Sequence, residues 1–246
     1  MKKSILAILA VCLLVISTTA QNKQIPLIGS EAPSFKAKST QGTLTFPNDF
    51  GKSWKILFSH PQDFTPVCST ELLEMAALQP EFDKLGVKVA VISTDNVETH
   101  KLWVKYLEEV NYKNRGHLDI KFPVIEDPKA LASKEYGMLH EPASTNRDIR
   151  GVYIIDENDV IRAINFYPLQ VGRNMNEIIR IVEALQTTDK SMVYTPANWQ
   201  KGDDVIVPYS PLTKEESMSN ADKPGYYKVG NRIWFMNGTE LVMDDK

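Results

Sequence analysis

Cysteine is scarce in this chain of 246 residues, which has only two, Cys12 and Cys68. They cannot form the disulfide framework of a small secreted domain, and they do not have the paired spacings of zinc sites. The 28 basic and 31 acidic residues give a formal net charge of −3, so the chain lacks the basic excess of a nucleic-acid-binding protein. No apolar run reaches the roughly 18 residues of a membrane span. We therefore expect no nucleic-acid partner, no membrane span, no metal and no cofactor.

The longest apolar run, Ile5 to Ile16, follows Lys2 and Lys3 and precedes small residues that end at Ala20. This is the pattern of a secretory signal peptide, which we predict over residues 1–20 with cleavage near Ala20. The mature protein would be exported, either periplasmic or secreted, and would keep Cys68 as its single cysteine. Judged by count alone, an inert buried thiol or an intermolecular bridge is a commoner explanation for such a cysteine than catalysis.

Hydrophobic periodicity indicates strands that alternate with helices. The pattern predicts an α/β, thioredoxin-like fold, in which helices flank a mixed central sheet. The predicted elements are a hairpin over 35–46, a strand over 54–58, a helix over 68–85, a strand over 87–92, a helix after 95–96, a strand over 122–125, a helix opening at 127–128, a hairpin over 151–166 and a helix over 174–185.

The sequence pattern changes near residue 188, where helical periodicity ends and prolines begin to interrupt short extended segments. We assign the thioredoxin-like domain to residues 21–187 and a C-terminal extension to residues 188–246. The extension ends in a predicted hairpin over 226–236. It has few periodic apolar residues, so we expect it to pack on the main domain or on a partner subunit.

Cys68 lies where a predicted buried strand turns into a helix, within the first turn of that helix. The thiolate is the reactive form of cysteine, and the N–H groups and dipole of a helix N-terminus stabilise it. Arg150 and Arg173 each stand at the boundary of a predicted element and could supply a nearby cation. Thr65 precedes the cysteine by three residues, and its hydroxyl could either cap the helix or face the sulfur.

The segments Ser59-His-Pro61 and Phe64-Thr-Pro-Val-Cys-Ser-Thr-Glu71 resemble the active-site signature of peroxiredoxins, specifically the 1-Cys subfamily. The resemblance extends to Arg150 at the start of a strand, to the segment Gly172-Arg173-Asn174, and to 195–203 in the C-terminal extension. It covers roughly residues 25–210 and implies a thioredoxin-like fold with a thiol peroxidase activity.

By this resemblance, the Cys68 thiolate attacks hydrogen peroxide or an alkyl hydroperoxide and becomes a sulfenic acid. Thr65 would orient the peroxide, and Arg150 would hold the thiolate and stabilise developing charge. Four further residues would bind or orient substrate around them: Arg173, Glu71, His60 and Pro61. A surface ion pair is the alternative for Arg173, and a helix-dipole carboxylate the alternative for Glu71.

With a single cysteine in the mature chain, the sulfenic acid would need an outside reductant, either a small thiol or a redox protein. Members of the family are homodimers, so the resemblance implies a homodimer or a higher homo-oligomer. The alternative function is a non-catalytic redox sensor or holdase chaperone on the same fold. Gly51-Lys-Ser-Trp-Lys55 resembles a lipase-like Gly-x-Ser-x-Gly segment, but Lys55 replaces the last glycine, and we predict no phospholipase activity.

Overall fold

The computed structural model describes residues 25–218 and 222–241; the predicted signal peptide lies outside these ranges. The strands are β1 Phe35–Ser39, β2 Gly42–Phe46, β3 Trp54–Ser59, β4 Val87–Ser93, β5 Val124–Glu126, β6 Arg150–Ile155, β7 Ile161–Tyr167, β8 Val205–Val207, β9 Tyr226–Val229 and β10 Ile233–Met236. The helices are α1 Pro66–Ala77, α2 Gln79–Lys84, α3 Val97–Glu108, α4 Leu131–Glu135, α5 Met175–Ser191, α6 Lys214–Met218 and α7 Gly238–Leu241.

Seven strands form one mixed sheet in the order β2-β1-β5-β4-β3-β6-β7. Strand β3, in the interior of the sheet, is buried along its whole length and pairs in parallel with β4 and antiparallel with β6. Helices flank this sheet, so the predicted thioredoxin-like fold with a C-terminal extension is confirmed. The β3–α1 turn and the start of β6 therefore come from neighbouring strands, which places Cys68 and Arg150 at the same end of the sheet.

Side chains alternate between the two faces of β3 and divide the core into two layers. Phe58 belongs to the layer that contains Leu72 and Trp103, from α1 and α3. Its neighbour Leu57 belongs to the opposite layer, with Tyr153. Residues 68–76 of α1 thus pack against a fully buried sheet face, and this packing fixes the position of the helix that carries the cysteine.

The predicted helix over 68–85 is wrong in one respect, because it is two helices that meet at Leu78. Pro80 causes the break, since its ring cannot donate a backbone hydrogen bond and would clash with the preceding turn of a continuous helix. The helix predicted to open at 127–128 begins later, after Ala130 in a left-handed conformation (φ 52°). Asp127 instead accepts hydrogen bonds from the N–H groups of Leu131 and Ser133 at 2.8 and 2.7 Å.

The C-terminal strands form a separate three-stranded sheet in the order β8-β10-β9, which includes the predicted terminal hairpin. A small buried cluster joins this sheet to the end of α5: Ala184, Val193, Trp199, Val205 and Val207. The boundary drawn at 187/188 falls inside α5, which continues to Ser191. Across the described parts of the chain, we find no helix with the length and apolar character to cross a membrane.

Candidate active site

The β3–α1 turn presents Cys68 from the first turn of α1. Thr65 is the N-cap residue in an extended conformation (φ −91°, ψ 146°), and Pro66 takes the first helical position, where its missing N–H costs nothing. Phe64 adopts a left-handed conformation (φ 57°), which reverses the chain into the helix. The Cys68 side chain is fully buried, so its sulfur lies in a low-dielectric setting beside unpaired N–H groups of the helix.

Arg150, the first residue of β6, approaches this sulfur directly. Its Nη1 lies 3.3 Å from Cys68 Sγ and 2.7 Å from Glu71 Oε2. The Leu169 carbonyl accepts from the other edge of the guanidinium, with Nε at 2.9 Å and Nη2 at 2.5 Å. Contacts on both edges hold the cation in one orientation against the thiol.

Glu71 connects Arg150 and Arg173 through its carboxylate. Arg173 donates to the Glu71 carboxylate from its backbone N–H (2.8 Å), Nε (2.9 Å) and Nη2 (2.7 Å). Arg173 Nη1 also donates to the carbonyls of Ser59 (2.9 Å) and Gly151 (2.7 Å). Burial alone would raise the pKa of Glu71, but the charge and hydrogen bonds of Arg173, with the charge of Arg150, outweigh it and lower that pKa below its ordinary value.

The charges of this buried network do not cancel. Arg150, Arg173 and Glu71 are at most 7% exposed, and they contribute two positive charges and one negative charge. The excess positive charge faces the cysteine sulfur through Arg150. Positive charge beside a cysteine sulfur is the setting in which reactive cysteines are found.

Thr65 does not cap α1 through its side chain. Its hydroxyl instead donates to the Gln62 carbonyl at 2.8 Å, which commits the hydroxyl hydrogen and leaves the oxygen lone pairs available as acceptors. The side chain is partly exposed, whereas Pro61 is buried in the same turn. Thr65 therefore lies at the accessible side of the turn, and Pro61 supports the turn from within.

His60 is fully buried and bonds away from the arginine network. Its Nε2 lies 2.8 Å from Asp63 Oδ1, and His100 Nδ1 lies 2.7 Å from Asp63 Oδ2. Sequence reasoning missed Asp63 and His100. The spacing of three residues between His60 and Asp63 could have signalled Asp63, but His100 comes from α3 and no local pattern marks it.

His60, Asp63 and His100 are also close enough together to bind a metal ion, since their potential ligand atoms all lie within 4.8 Å of one another. Within the described ranges, no other group of three or more His, Cys, Asp and Glu side chains is this close. Their mutual hydrogen bonds account for that closeness. Cys68 is not among them.

Comparison with known proteins gives two family matches. The AhpC/TSA family model matches residues 28–164. The model for the C-terminal domain of 1-Cys peroxiredoxin matches residues 184–216.

Named relatives are similar over most of the chain. A peroxiredoxin of Methanosarcina mazei is 48% identical over 215 residues, which is 86% of this chain and 96% of that protein. The mitochondrial peroxiredoxin PRX1 of Saccharomyces cerevisiae is 44% identical over 190 residues, which is 74% of this chain and 71% of that protein.

Solved structures show the same likeness. Peroxiredoxin 6 of Arenicola marina, in a cysteine-to-serine variant, superposes with a TM-score of 0.75 at 33% identity over 86% of this chain and 98% of that one. A yeast mitochondrial 1-Cys peroxiredoxin, described with a thiol resolving mechanism via glutathione/thioredoxin systems, gives a TM-score of 0.74 at 37% identity over 87% of this chain and 100% of that one.

Proposed function

The chain belongs to the AhpC/TSA family, within the 1-Cys peroxiredoxins, and is therefore a thiol peroxidase; we propose that it reduces hydrogen peroxide and organic hydroperoxides through Cys68 alone. The observation that carries this proposal is the 3.3 Å contact between Arg150 Nη1 and Cys68 Sγ. It supplies the cation that a reactive thiolate needs, at the only cysteine among the described residues.

The proposed first step is an in-line displacement. The Cys68 thiolate attacks the terminal oxygen of R–O–OH, an S–O bond forms as the O–O bond breaks, and the cysteine becomes a sulfenic acid. The leaving alkoxide or hydroxide takes up a proton to give alcohol or water. Negative charge moves from sulfur onto the leaving oxygen, so a fixed cation and N–H donors along this path lower the barrier.

Each neighbour of the sulfur has a proposed part in this step. Arg150 stabilises the thiolate and then the developing charge on the peroxide oxygens. Thr65 accepts a hydrogen bond from the hydroperoxide O–H, since its own hydrogen is held by the Gln62 carbonyl. Arg173 and Glu71 position Arg150, and the N–H groups at the start of α1 donate to the substrate.

The second step needs a reductant from outside the chain. One thiol displaces the sulfenic hydroxyl as water and forms a mixed disulfide, and a second thiol releases Cys68 and leaves as an external disulfide. The yeast relative is described with glutathione/thioredoxin systems, which supports a small thiol or a thioredoxin-type protein as the reductant.

The decisive experiment measures peroxide consumption by the mature protein with glutathione, dithiothreitol or a thioredoxin system as the electron source. We expect many turnovers per protein, labelling of Cys68 by a sulfenic-acid probe after peroxide treatment, and no turnover in Cys68→Ser. Oxidation once per molecule with no reductant able to restore the thiol would favour the redox-sensor alternative. Peroxidase activity retained in Cys68→Ser would refute the proposal.

We also propose that the protein works as a homodimer or a higher homo-oligomer and is exported after cleavage near Ala20. The exposed side chains of Tyr194 and Ile233 on the C-terminal sheet support the first part, because an apolar surface there could be covered by a second copy. Light scattering at micromolar concentration tests it, and a monomer would refute it. N-terminal sequencing of protein from the extracytoplasmic fraction tests export, and an intact Met1 would refute it.

A further inference from the structure

A buried cluster of His60, Asp63 and His100, separate from the arginine network, also holds the turn that carries the catalytic groups. Asp63 binds one imidazole at each carboxylate oxygen, at 2.8 Å for His60 and 2.7 Å for His100. The side chains of all three are at most 1% exposed. His60 and Asp63 belong to the β3–α1 turn, whereas His100 belongs to α3, so the carboxylate ties the turn to a neighbouring helix.

The two imidazole rings differ in their hydrogen-bond partners. His100 has an oxygen partner at each ring nitrogen, Asp63 Oδ2 at Nδ1 (2.7 Å) and the Ile125 carbonyl at Nε2 (3.2 Å), so the ring is held at both ends. His60 has a partner only at Nε2, while its buried Nδ1 has none, which describes a neutral ring in the Nε2–H tautomer. Burial lowers the pKa of His60, in agreement with a neutral ring.

Asp63 is the anion of the cluster. Burial pushes its pKa upward, but the hydrogen bonds from His100 and His60 outweigh burial and leave the pKa below its ordinary value. The Asp63 N–H donates to Asp95 Oδ2 at 2.7 Å, which adds a tie to the segment after β4. With an imidazole ring on each of its oxygens, the carboxylate can hold the turn in a single conformation.

We propose that Asp63 and His100 are positioning residues of the peroxidase reaction, holding the β3–α1 turn so that Thr65 and Cys68 meet the peroxide in line. This inference rests on the proposed function. Thr65 lies two residues after Asp63, and its hydroxyl is bonded to the carbonyl of Gln62 within the same turn. The turn is thus fixed from two sides, by Arg173 on the Ser59 carbonyl and by His100 on Asp63.

The test compares two reactions of the same thiol in Asp63→Asn and His100→Gln. Oxidation of Cys68 by hydrogen peroxide, followed by stopped flow in a single turnover, requires oriented donors; alkylation by iodoacetamide requires only an accessible thiolate. A misplacement of about 1 Å costs on the order of 10²-fold in rate. We expect peroxide oxidation to fall by roughly that factor in Asp63→Asn, and by about 10-fold in His100→Gln, while alkylation changes less than about 2-fold.

Glu74→Gln is the matched control, since Glu74 is another carboxylate that joins α1 to two cations, Lys113 and Arg115, but on the outer side of the helix. Both of its rates should stay within about 2-fold of the wild type, as expected for surface ion pairs. Circular dichroism checks that each variant folds.

Two results would overturn the inference: an unchanged peroxide rate in Asp63→Asn, or equal losses in both reactions. Lack of a peroxide reaction in the wild type would instead refute the proposed function.

Discussion

Replacing Glu71 by glutamine removes the one negative charge that Arg150 and Arg173 share in the buried network. The carboxylate accepts four hydrogen bonds from them, and an amide would turn an NH₂ group toward at least one guanidinium. Removing one partner of a buried ion pair costs about 3–5 kcal/mol. Both arginines keep backbone carbonyl acceptors, so we expect the lower end, a loss of about 3 kcal/mol in the free energy of unfolding.

Urea denaturation followed by circular dichroism, at equal protein concentration for wild type and variant, measures this loss. We expect the midpoint to fall by about 1 M or more in urea. Because the pKa of Glu71 is lowered in the folded state, its contribution is present above the unfolded pKa and is lost as pH falls through the folded pKa. The difference between wild type and Glu71→Gln should therefore shrink as the pH is taken below about 4.5.

The partly exposed Glu74 provides the reference for this measurement as well. Glu74→Gln breaks ion pairs at the surface of the same helix and should cost less than about 1 kcal/mol. A Glu71→Gln variant that loses no more than Glu74→Gln would refute the view that the buried network depends on the carboxylate.

Three further predictions concern single side chains. Arg150→Met should lower the rate of peroxide oxidation of Cys68 by about 10²–10³-fold in stopped flow, and a loss below about 10-fold would contradict its role in charge stabilisation. Thr65→Val should lower the same rate by about 10²-fold while Thr65→Ser retains most of it, and equal effects of the two would show that the hydroxyl is not used. Burial raises the pKa of Asp148, which lies 3.1 Å from the Ser133 hydroxyl, well above its ordinary value. Because the folded pKa is raised, the free energy of unfolding falls as the pH rises toward that pKa. Asp148→Asn should therefore stabilise the protein, relative to wild type, more at pH 8 than at pH 4 in urea titrations. A pH-independent difference would contradict that protonation state.

Local pattern predicted most of the fold, because its strands are continuous apolar runs that alternate with amphipathic helices. The break between α1 and α2 could have been predicted from Pro80, because proline interrupts helices. The helical spacing of apolar residues continues across Pro80, however, and so predicts one continuous helix. The start of α4 was predicted too early, at 127–128, for a different reason. A proline near a helix start is typical, but Asp127 caps the helix from four residues before Leu131, through a left-handed Ala130.

In the candidate site, some contacts follow from positions close in the sequence, whereas others depend on the tertiary fold. Cys68, Thr65 and Glu71 lie within one turn and helix, so their proximity follows from sequence spacing. The approach of Arg150 to the sulfur depends on strand order, since β6 pairs with β3 although 90 positions separate Ser59 from Ile149 at their contact. The pairing of His100 with Asp63 depends on how α3 packs over β5, which no motif encodes.

Helix α5 connects the candidate active site to the C-terminal sheet. Arg173 stands just before its first residue, and the side chain of Asn174 caps it by accepting from the N–H groups of Asn176 and Glu177. The helix has seventeen residues and is about 25 Å long, and Ala184 in its second half joins the buried cluster around Trp199 that belongs to the C-terminal sheet. Cutting the chain at 187 would shorten α5 and remove the residues that cover Ala184, so the C-terminal extension is not independent of the helix that follows Arg173.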